Sequence, residues 1–319
     1  MTARALIIGS AGQDGRYLAE FLSKKGYWVA GVDRTDRSES SAALDAYWRC
    51  DLRNPSLIPS AIDRSIPSEI YYLAAQNFSS EDEQLRTAPI ADLLTVNLLG
   101  AAVTLSTITA RFPRCRFFYA GSCHVFGDAM VAPQNEGTPH NPTTPYGISK
   151  SAGLRLCRYF RESCGVFAVG GILFNHESPL RRPPFVTARI AHAAALVSAG
   201  KGKKIAVHDT AAVVDWGAAS DFVEAMWLAL THSGPNDYVI ATGIAHTVGE
   251  FAQAAFSHVG ARWEDWVVSD SCGSTRQSAP YVGDSTRIRR ATRWEPRTSF
   301  HTLVETMVDA HTNIPVLGK

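Results

Sequence analysis

Residues 5–22 read ALIIGSAGQDGRYLAEFL: an apolar run, three glycines spaced GxxGxxG, and apolar residues at helical spacing. This order predicts a strand, a tight turn and a helix. The first glycine permits the turn, the second lets the backbone approach a pyrophosphate, and the third lets the helix pack on the strand. The phosphates would lie against the free N–H groups at the start of the helix. The dinucleotide-binding residues expected here are Gly9, Gly12, Gln13, Asp14 and Gly15.

Further apolar segments with the composition of strands follow, and helical patterns separate them. They lie at 28–32, before Asp51, and at 70–73, 117–120, 167–174 and 238–242. Strands that alternate with helices predict an α/β fold with a doubly wound parallel sheet of the Rossmann type. Such sheets bind ligands at the carboxyl ends of their strands. Four candidate residues fall at such ends: Gly9, Asp33, Ala74 and Ser122.

The chain is expected to form a larger and a smaller portion without a long linker between them. Residues 1–174 are the expected dinucleotide-binding portion, with a later strand near 237–243 joining its sheet. A Pro/Arg-rich stretch at 180–185, LRRPPF, marks the change in composition. Residues 175–319 are therefore expected to be mainly the substrate-binding portion.

The second expected strand ends in Asp33, whose carboxylate would bond both adenosine ribose hydroxyls and repel a 2′-phosphate. This favours NAD, although Arg34 and Arg37 could accept the 2′-phosphate of NADP. Small residues at the end of the 70–73 strand suit the close passage of a dinucleotide. The remaining cofactor-binding candidates are Asp51 and Leu52, which could cap the adenine pocket, Leu73, Ala74 and Ala75, and the Tyr146 and Lys150 pair described below.

A second informative stretch runs from FYAGSCHVFGD at 118–128 to YGISK at 146–150. Tyr146 and Lys150 lie four residues apart and share one face if this segment is a helix. An ammonium there could lower the pKa of the phenol by favouring its ionised form. Beside the hydroxyl of Ser122, the phenol could take a proton from a sugar alcohol as hydride leaves. The alternative is a core tyrosine and a solvated lysine.

The bulk composition excludes several classes of partner. The 319 residues carry a net charge of +1, which argues against binding nucleic acid or an anionic membrane. We expect no membrane span and no signal peptide, because no apolar run of about 20 residues is evident. The 6 cysteines form no CxxC pair, so no metal site is expected, and a reducing cytoplasm fits best.

Substrate-binding candidates come from both portions of the chain. Basic residues opposite a cofactor cleft would suit a diphosphate, although surface cations are usually only solvated. The candidates are Gln76, Ser122, Asn175, Arg189 and Arg276, with Arg287, Arg289 and Arg290 as further cations.

Four segments extend the motifs above: GSAGQDGRYLAEFLSKKGY at 9–27, EIYYLAAQ at 69–76, TPYGISK at 144–150 and GILFNHESP at 171–179. With them the chain resembles the extended short-chain dehydrogenase/reductases that remodel nucleotide sugars, and among these the GDP-mannose 4,6-dehydratases. The resemblance implies bound NAD(P), a nucleotide-diphosphate sugar as substrate, and oxidation at C4 of the sugar. It also implies a homodimer formed through helices at about 95–111 and 146–162.

The resemblance assigns four catalytic roles. Tyr146 would be the base at the C4 hydroxyl, Lys150 its electrostatic partner, and Ser122 the hydrogen-bond donor in place of the family's threonine. The family's glutamate, which moves the C5 proton and serves water loss at C6, is His124 here, and imidazole can transfer protons near neutral pH. Other departures lie near the substrate and the second ribose: Thr35, Leu180, Val214 and the RPPFVTA segment in place of GETFVTR.

The substitution at His124 leaves alternatives open. A C4 epimerase or a 4-keto-sugar reductase needs Ser122, Tyr146 and Lys150 but no elimination at C6. A catalytically idle dinucleotide-binding protein on the same fold is the third reading, against which the intact catalytic set argues. The sequence leaves the nucleotide, the sugar and the oligomeric state undecided.

Overall fold

The computed structural model describes residues 2–36, 42–77, 89–231, 234–269 and 279–312. Two of the cationic candidates, Arg37 and Arg276, lie outside these ranges.

The strands are β1 Arg4–Ile8, β2 Trp28–Asp33, β3 Ala46–Arg49, β4 Glu69–Tyr72, β5 Arg116–Ala120, β6 Ala168–Leu173, β7 Asn175–Glu177, β8 Ile205–Val207, β9 Val213–Ala218, β10 Asp237–Ile240, β11 Ala245–Thr247 and β12 Val267–Ser269. The helices are α1 Gln13–Lys24, α2 Ile58–Ser65, α3 Ile90–Leu94, α4 Gly100–Arg111, α5 Pro145–Cys164, α6 Val186–Ser198, α7 Ala219–Thr231, α8 Val248–His258, α9 Thr286–Thr292 and α10 Phe300–Thr312. A π-helical segment, Thr95–Leu99, joins α3 to α4.

Within the described residues, seven strands form the main sheet in the order β10-β6-β5-β4-β1-β2-β3. Every neighbouring pair in this sheet is parallel. The order reverses direction between β1 and β4, so a crevice opens there at the carboxyl ends of the strands. The predicted fold class, a doubly wound parallel sheet of the Rossmann type, is confirmed.

Helices cover both faces of this sheet, which explains why its strands are apolar throughout. One face packs against α2, α4 and α5, and the other against α1 and α7. The four residues of β4 are all buried, as are those of β5 from Phe117 to Ala120. The phenols of Tyr71, Tyr72 and Tyr119 lie inside these layers with no exposed surface.

Most of the later elements form a second core. Here α6, α8 and α10 bury apolar side chains against one another and against Trp216 of β9. Two small sheets belong to this part, one ordered β11-β9-β7 and the other pairing β12 with β8. Strand β7 follows β6 after a single residue, Phe174, so the chain passes directly from the main sheet into the second part.

The continuous helix Ile90–Arg111 departs from the expectation that no apolar run reaches the length of a membrane span. Its 22 residues have a mean hydropathy of 1.7 in their most apolar window, enough by length and composition to cross a membrane. In this fold 44% of that window is buried, and α4 packs against α2 and α5. Length and composition alone do not distinguish a membrane span from a core helix.

Candidate active site

A cleft of about 670 Å³ opens at the carboxyl ends of the central strands. It contains the crevice between β1 and β4 where a doubly wound sheet is expected to hold a ligand. Ten residues proposed from sequence line it: Gly9, Gly12, Asp33, Arg34, Asp51, Leu52, Leu73, Ala74, Ala75 and Gln76.

The glycine turn at the start of α1 is too crowded for side chains. Gly9 has a φ of +97°, and a Cβ there would lie 2.5 Å from the backbone nitrogen of Ala74. A Cβ on Gly15 would lie 2.3 Å from the carbonyl oxygen of Gly9. Gly12 occupies the N-cap of α1 without any side-chain cap, so the first N–H groups of the helix are open to an anion. The turn therefore fits a dinucleotide diphosphate.

Asp33 is held by backbone donors at the end of β2. Its carboxylate accepts hydrogen bonds from the backbone N–H groups of Ala11, at 3.0 Å, and Arg34, at 2.7 Å. Asp51 lies farther along the cleft and is engaged by Arg53 at 2.6 Å, which holds the pKa of the Asp51 carboxyl below its usual range. Asp51 is thus held as a carboxylate by Arg53, and the Asp33 side chain is fixed in position by backbone donors.

The end of β4 presents an unsatisfied polar atom to the cleft. The side-chain oxygen of Gln76, Oε1, is buried without a hydrogen-bond partner, which is costly unless a ligand supplies a donor. The backbone of Gln76 is held on both sides by the amide of Asn97, with distances of 2.8 Å and 3.2 Å. We interpret Gln76 as a ligand-facing residue.

Asn97 was not recognised from the sequence as a site residue. In the π-helical turn around it, two backbone carbonyls accept hydrogen bonds from outside the helix. Tyr72 donates its hydroxyl to the carbonyl of Val96 at 2.5 Å, and Tyr119 donates its hydroxyl to the carbonyl of Asn97 at 2.8 Å. The Asn97 amide also donates to Ser149 at 3.0 Å, which links the cleft to α5. The available signal was a fully buried asparagine inside an apolar helix, a pattern that often marks function.

The catalytic candidates converge where α5 begins. Thr144 caps this helix by accepting from the N–H of Gly147 at 3.1 Å, so Tyr146 lies in the first turn and Lys150 one turn later. The Nζ of Lys150 lies 5.7 Å from the centre of the Tyr146 ring. The Ser122 hydroxyl, at the end of β5, lies beside the Tyr146 phenol and favours its ionised form.

The electrostatics of this pair differ from the expectation. Burial raises the pKa of Tyr146, although the Ser122 hydroxyl opposes the shift. Burial also lowers the pKa of Lys150 to about 7, because the ammonium is almost fully enclosed. The pKa of Tyr146 is therefore raised, and not lowered by Lys150 as expected, because burial dominates it.

His124 lies beside the same phenol. It belongs to a short 3-10 turn, Cys123–Val125, that Ser122 caps by accepting from the His124 N–H at 3.3 Å. The imidazole packs between two rings, with its centre 5.7 Å from that of Tyr146 and 5.6 Å from that of Tyr281. Burial lowers the pKa of His124, so the ring is neutral near pH 7 and able to accept a proton.

Tyr281 and Arg182 are two further site residues that the sequence did not reveal. Tyr281 donates its hydroxyl to Gly127 at 2.8 Å and covers His124 from the C-terminal part of the chain. Arg182 lines the dinucleotide cleft and donates to the Asn77 carbonyl at 3.2 Å. Arg182 lies in the LRRPPF segment noted above but was not singled out there, and Tyr281 lies in no recognisable motif.

Among the described residues, the cations expected to bind the diphosphate of the substrate do not line the dinucleotide cleft. Arg189 donates to the Ala206 carbonyl of β8 and does not line the dinucleotide cleft. Asn175 begins β7 and pairs with Trp216 of β9. Arg182 is the cation that residues 175–319 bring to the described dinucleotide cleft. Binding of the substrate diphosphate by Arg189 stays a prediction.

A family model described as GDP-mannose 4,6 dehydratase matches residues 6–307 of the chain. The chain is 37% identical over 322 residues to GDP-mannose 4,6 dehydratase 2 of Arabidopsis thaliana, a match that covers 96% of the chain and 86% of that protein. It is 35% identical over 340 residues to the Homo sapiens GDP-mannose 4,6 dehydratase, covering 96% and 90%.

Solved structures with the same fold are similar along nearly their whole length. UDP-glucose 4-epimerase from Brucella ovis, in complex with NAD, superposes with a TM-score of 0.85 at 19% identity and covers 98% of this chain and 99% of that chain. RMD from Pseudomonas aeruginosa, complexed with NADPH, gives 0.83 at 22% identity and covers 97% and 99%. At these identities the likeness concerns the fold.

Proposed function

Because the chain belongs to the GDP-mannose 4,6-dehydratase family, we propose that it is an NAD(P)-dependent enzyme that removes water from a nucleotide-diphosphate hexose. GDP-mannose is the favoured substrate. The observation that supports this most is the enclosure of Ser122, Tyr146 and Lys150 at the carboxyl edge of the sheet. These side chains meet next to a glycine turn that fits a dinucleotide.

The glycine turn and Asp33 would hold the dinucleotide, which would supply the hydride chemistry at C4 and C6 of the sugar. Tyr146 takes the proton of the C4 hydroxyl as the ketone forms, and Ser122 donates a hydrogen bond to the same oxygen. Lys150 is fixed by the Ala120 carbonyl at 2.6 Å and, with a pKa of about 7, can hold or release a proton beside the phenol.

His124 performs the elimination in this proposal. The C4 ketone acidifies the C5 hydrogen, and the neutral imidazole takes that proton. The imidazolium then gives a proton to the C6 hydroxyl, which leaves as water. When hydride is added at C6, C5 receives a solvent proton through His124, and Tyr146 releases the proton of the C4 hydroxyl to solvent. The contact between the His124 and Tyr146 rings supports these separate roles at C4 and at C5 and C6, since both side chains can face one bound sugar.

We propose NAD as the preferred dinucleotide. Asp33 is held in place by two backbone N–H groups, so its charge stays at the position expected for the adenosine ribose. A 2′-phosphate would be repelled there. Arg34 and Arg53 line the cleft as well, which keeps NADP as the alternative.

We further propose that the protein is a cytoplasmic homodimer without a membrane span. Large apolar side chains are exposed along the 90–111 helix and α5, among them Leu99 at 48%, Ile148 at 51% and Tyr159 at 56%. The two helices pack side by side, so these residues can form one continuous apolar surface. A second copy of the same surface would cover it, which also accounts for the hydropathy of the 90–111 helix without lipid.

The dehydratase proposal is tested by incubating the purified protein with GDP-mannose and catalytic amounts of NAD, and by measuring product mass and cofactor redox state. We expect a product lighter by one water molecule with no net change in NADH. UDP-glucose and dTDP-glucose serve as matched substrates that differ in the nucleotide. Oxidation or reduction of the sugar in proportion to cofactor consumed would contradict the proposal.

A second candidate is suggested by His124 itself. A histidine in place of the family's glutamate suits a C4 epimerase or a 4-keto-sugar reductase, which require no elimination at C6. An epimerase would change the sugar stereochemistry at constant mass. A reductase would consume NAD(P)H stoichiometrically with a 4-keto sugar. A dinucleotide-binding protein without activity would leave every nucleotide sugar unchanged.

A further inference from the structure

An ion pair joins the dinucleotide turn to the strand that leads into the second part of the chain. Nε2 of His176 in β7 lies 2.9 Å and 3.0 Å from the two carboxylate oxygens of Asp14 in α1. Only 12% of the histidine side chain and 20% of the aspartate side chain are exposed. Neither residue is needed for the proton transfers assigned above.

The surroundings of the imidazole fix its protonation. Nδ1 lies 2.7 Å from the carbonyl oxygen of Phe174, which can only accept a hydrogen bond. Nε2 faces a carboxylate that also only accepts. Both ring nitrogens must therefore carry hydrogen, and the ring is an imidazolium stacked 4.6 Å from the ring of Phe222. Burial alone would lower the pKa of His176, but the Asp14 carboxylate outweighs it and the pKa is raised.

The charge on Asp14 acts on the catalytic pair. It favours protonated Lys150 and opposes ionisation of Tyr146. Burial would raise the pKa of Asp14, but interaction with His176 and a hydrogen bond from Gln13 hold it below its usual range, so the carboxylate is ionised. The other ionisable groups around these residues are Glu177 at the end of β7, Arg181 after it, Tyr146 and Lys150 of α5, and Cys123 after β5.

Besides His176, Arg181 is the cation that lowers the pKa of Asp14, and it already has a partner. Its guanidinium donates to the two carboxylate oxygens of Glu177 at 2.5 Å and 2.9 Å. Thr187 donates to the same carboxylate at 3.0 Å. The cation bonded directly to Asp14 is therefore the imidazolium of His176.

We propose that His176 is a positioning residue whose fixed positive charge neutralises Asp14, so that the dinucleotide turn presents no uncompensated negative charge to the diphosphate and to Tyr146. This role rests on the proposed function. The same contact holds α1 against β7, together with the hydrogen bond from Gln13 to the His176 carbonyl at 3.1 Å and that from Ser178 to Gln13 at 2.7 Å.

The proposed role depends on the positive charge of His176. If His176 is replaced by a neutral hydrogen-bond donor, Asp14 stays ionised within the site. The negative charge then disfavours ionised Tyr146 and repels the cofactor diphosphate. Removing the charge of Asp14 in addition should reverse both effects, whereas a purely structural role predicts that two substitutions are at least as harmful as one.

The test compares His176→Gln with the double variant Asp14→Asn/His176→Gln by calorimetric titration with NAD and by the pH dependence of kcat/KM. We expect the single variant to bind NAD about tenfold more weakly and its acidic midpoint to rise by about half to one pH unit. The double variant should bind NAD more tightly than His176→Gln, and its acidic midpoint should move back towards that of the wild type. His192→Gln, on an exposed histidine of α6, controls for the substitution itself and should change neither value.

Two measurements test the role of His176 even if the enzyme performs different chemistry on the sugar. They are NAD binding, which needs no turnover, and NMR of the histidine ring. NMR of ¹⁵N-labelled histidine should show both ring nitrogens of His176 protonated from about pH 6 to about pH 8. A neutral ring at pH 7 would overturn the proposal. So would a double variant that binds NAD no better than His176→Gln while circular dichroism shows both to be folded.

Discussion

The Nζ of Lys150 lies 2.6 Å from the carbonyl oxygen of Ala120, the last residue of β5. This bond joins the first turns of α5 to the strand end that carries Ser122 and His124. The lysine therefore serves as an anchor between two catalytic segments as well as a charge beside Tyr146. The low pKa of Lys150, about 7, follows from its burial at this junction.

Tyr146→Phe should reduce kcat by about 10²–10⁴-fold, because the general base at the C4 hydroxyl is lost. NAD affinity should change by less than about threefold, since the ring and its packing are retained. Steady-state kinetics and calorimetric titration measure the two values. Tyr159→Phe removes a phenol from the exposed face of the same helix and should leave both nearly unchanged. Comparable turnover in Tyr146→Phe would remove the residue from the mechanism.

Lys150→Met should abolish turnover yet stabilise the cofactor-free protein at neutral pH. The pKa of Lys150 falls from 10.5 to about 7 on folding, so the unfolded chain binds more protons between these values. Stability therefore rises with pH across that window and is lost as the pH falls through about 7. We expect a net gain of roughly 1–3 kcal/mol at pH 7 after the unpaired Ala120 carbonyl is counted. Urea unfolding from pH 6 to 10 measures it, and a variant less stable at pH 7 would contradict the assignment.

Asp33→Asn should shift cofactor preference from NAD towards NADP. The substitution keeps an oxygen for the backbone donors of Ala11 and Arg34 and removes the charge that repels a 2′-phosphate. The ratio of kcat/KM for the two cofactors should change by about tenfold or more. Asp36→Asn, at an exposed carboxylate paired with Arg49, provides the matched control. An unchanged ratio in Asp33→Asn would mean that this carboxylate does not select the cofactor.

Ile148→Arg should convert a dimer into a monomer, because it places a charge on the apolar surface formed by α5 and the 90–111 helix. Size-exclusion chromatography with light scattering measures the mass. Val268→Arg, on β12 and 48% exposed, lies outside this surface and should leave the mass unchanged. A wild-type monomer, or flotation of the wild type with lipid vesicles, would contradict the dimer proposal.

The sequence predicted the sheet and the dinucleotide turn well because both depend on local chemistry. The turn requires Gly9 and Gly15 at positions where any Cβ would collide with backbone, and each strand is a short apolar run. Asn97 and Tyr281 were missed for the opposite reason. Asn97 acts through a π-helical turn that Tyr72 and Tyr119 satisfy from neighbouring strands. Tyr281 reaches His124 from a distant segment, so no spacing in the sequence connects them.

Electrostatics were the least predictable part of the site. Spacing alone places Lys150 beside Tyr146, but it does not reveal that the fold buries Lys150 almost completely and Tyr146 in part. Burial reverses the expected direction of the Tyr146 pKa. The pairing of Asp14 with His176 likewise depends on contact between β7 and the start of α1, which are far apart in the chain.

The central claim is that the enzyme eliminates water through a C4 ketone with His124 as the acid and base. The most direct measurement is incubation of the wild type and of His124→Gln with GDP-mannose in D2O, followed by mass spectrometry and NMR of the sugar. The account predicts that the wild type forms a product lighter by one water molecule with deuterium at C5, and that His124→Gln binds NAD but incorporates no deuterium. Deuterium at C5 at an unchanged rate in His124→Gln, or wild-type product with the mass of the substrate, would contradict it.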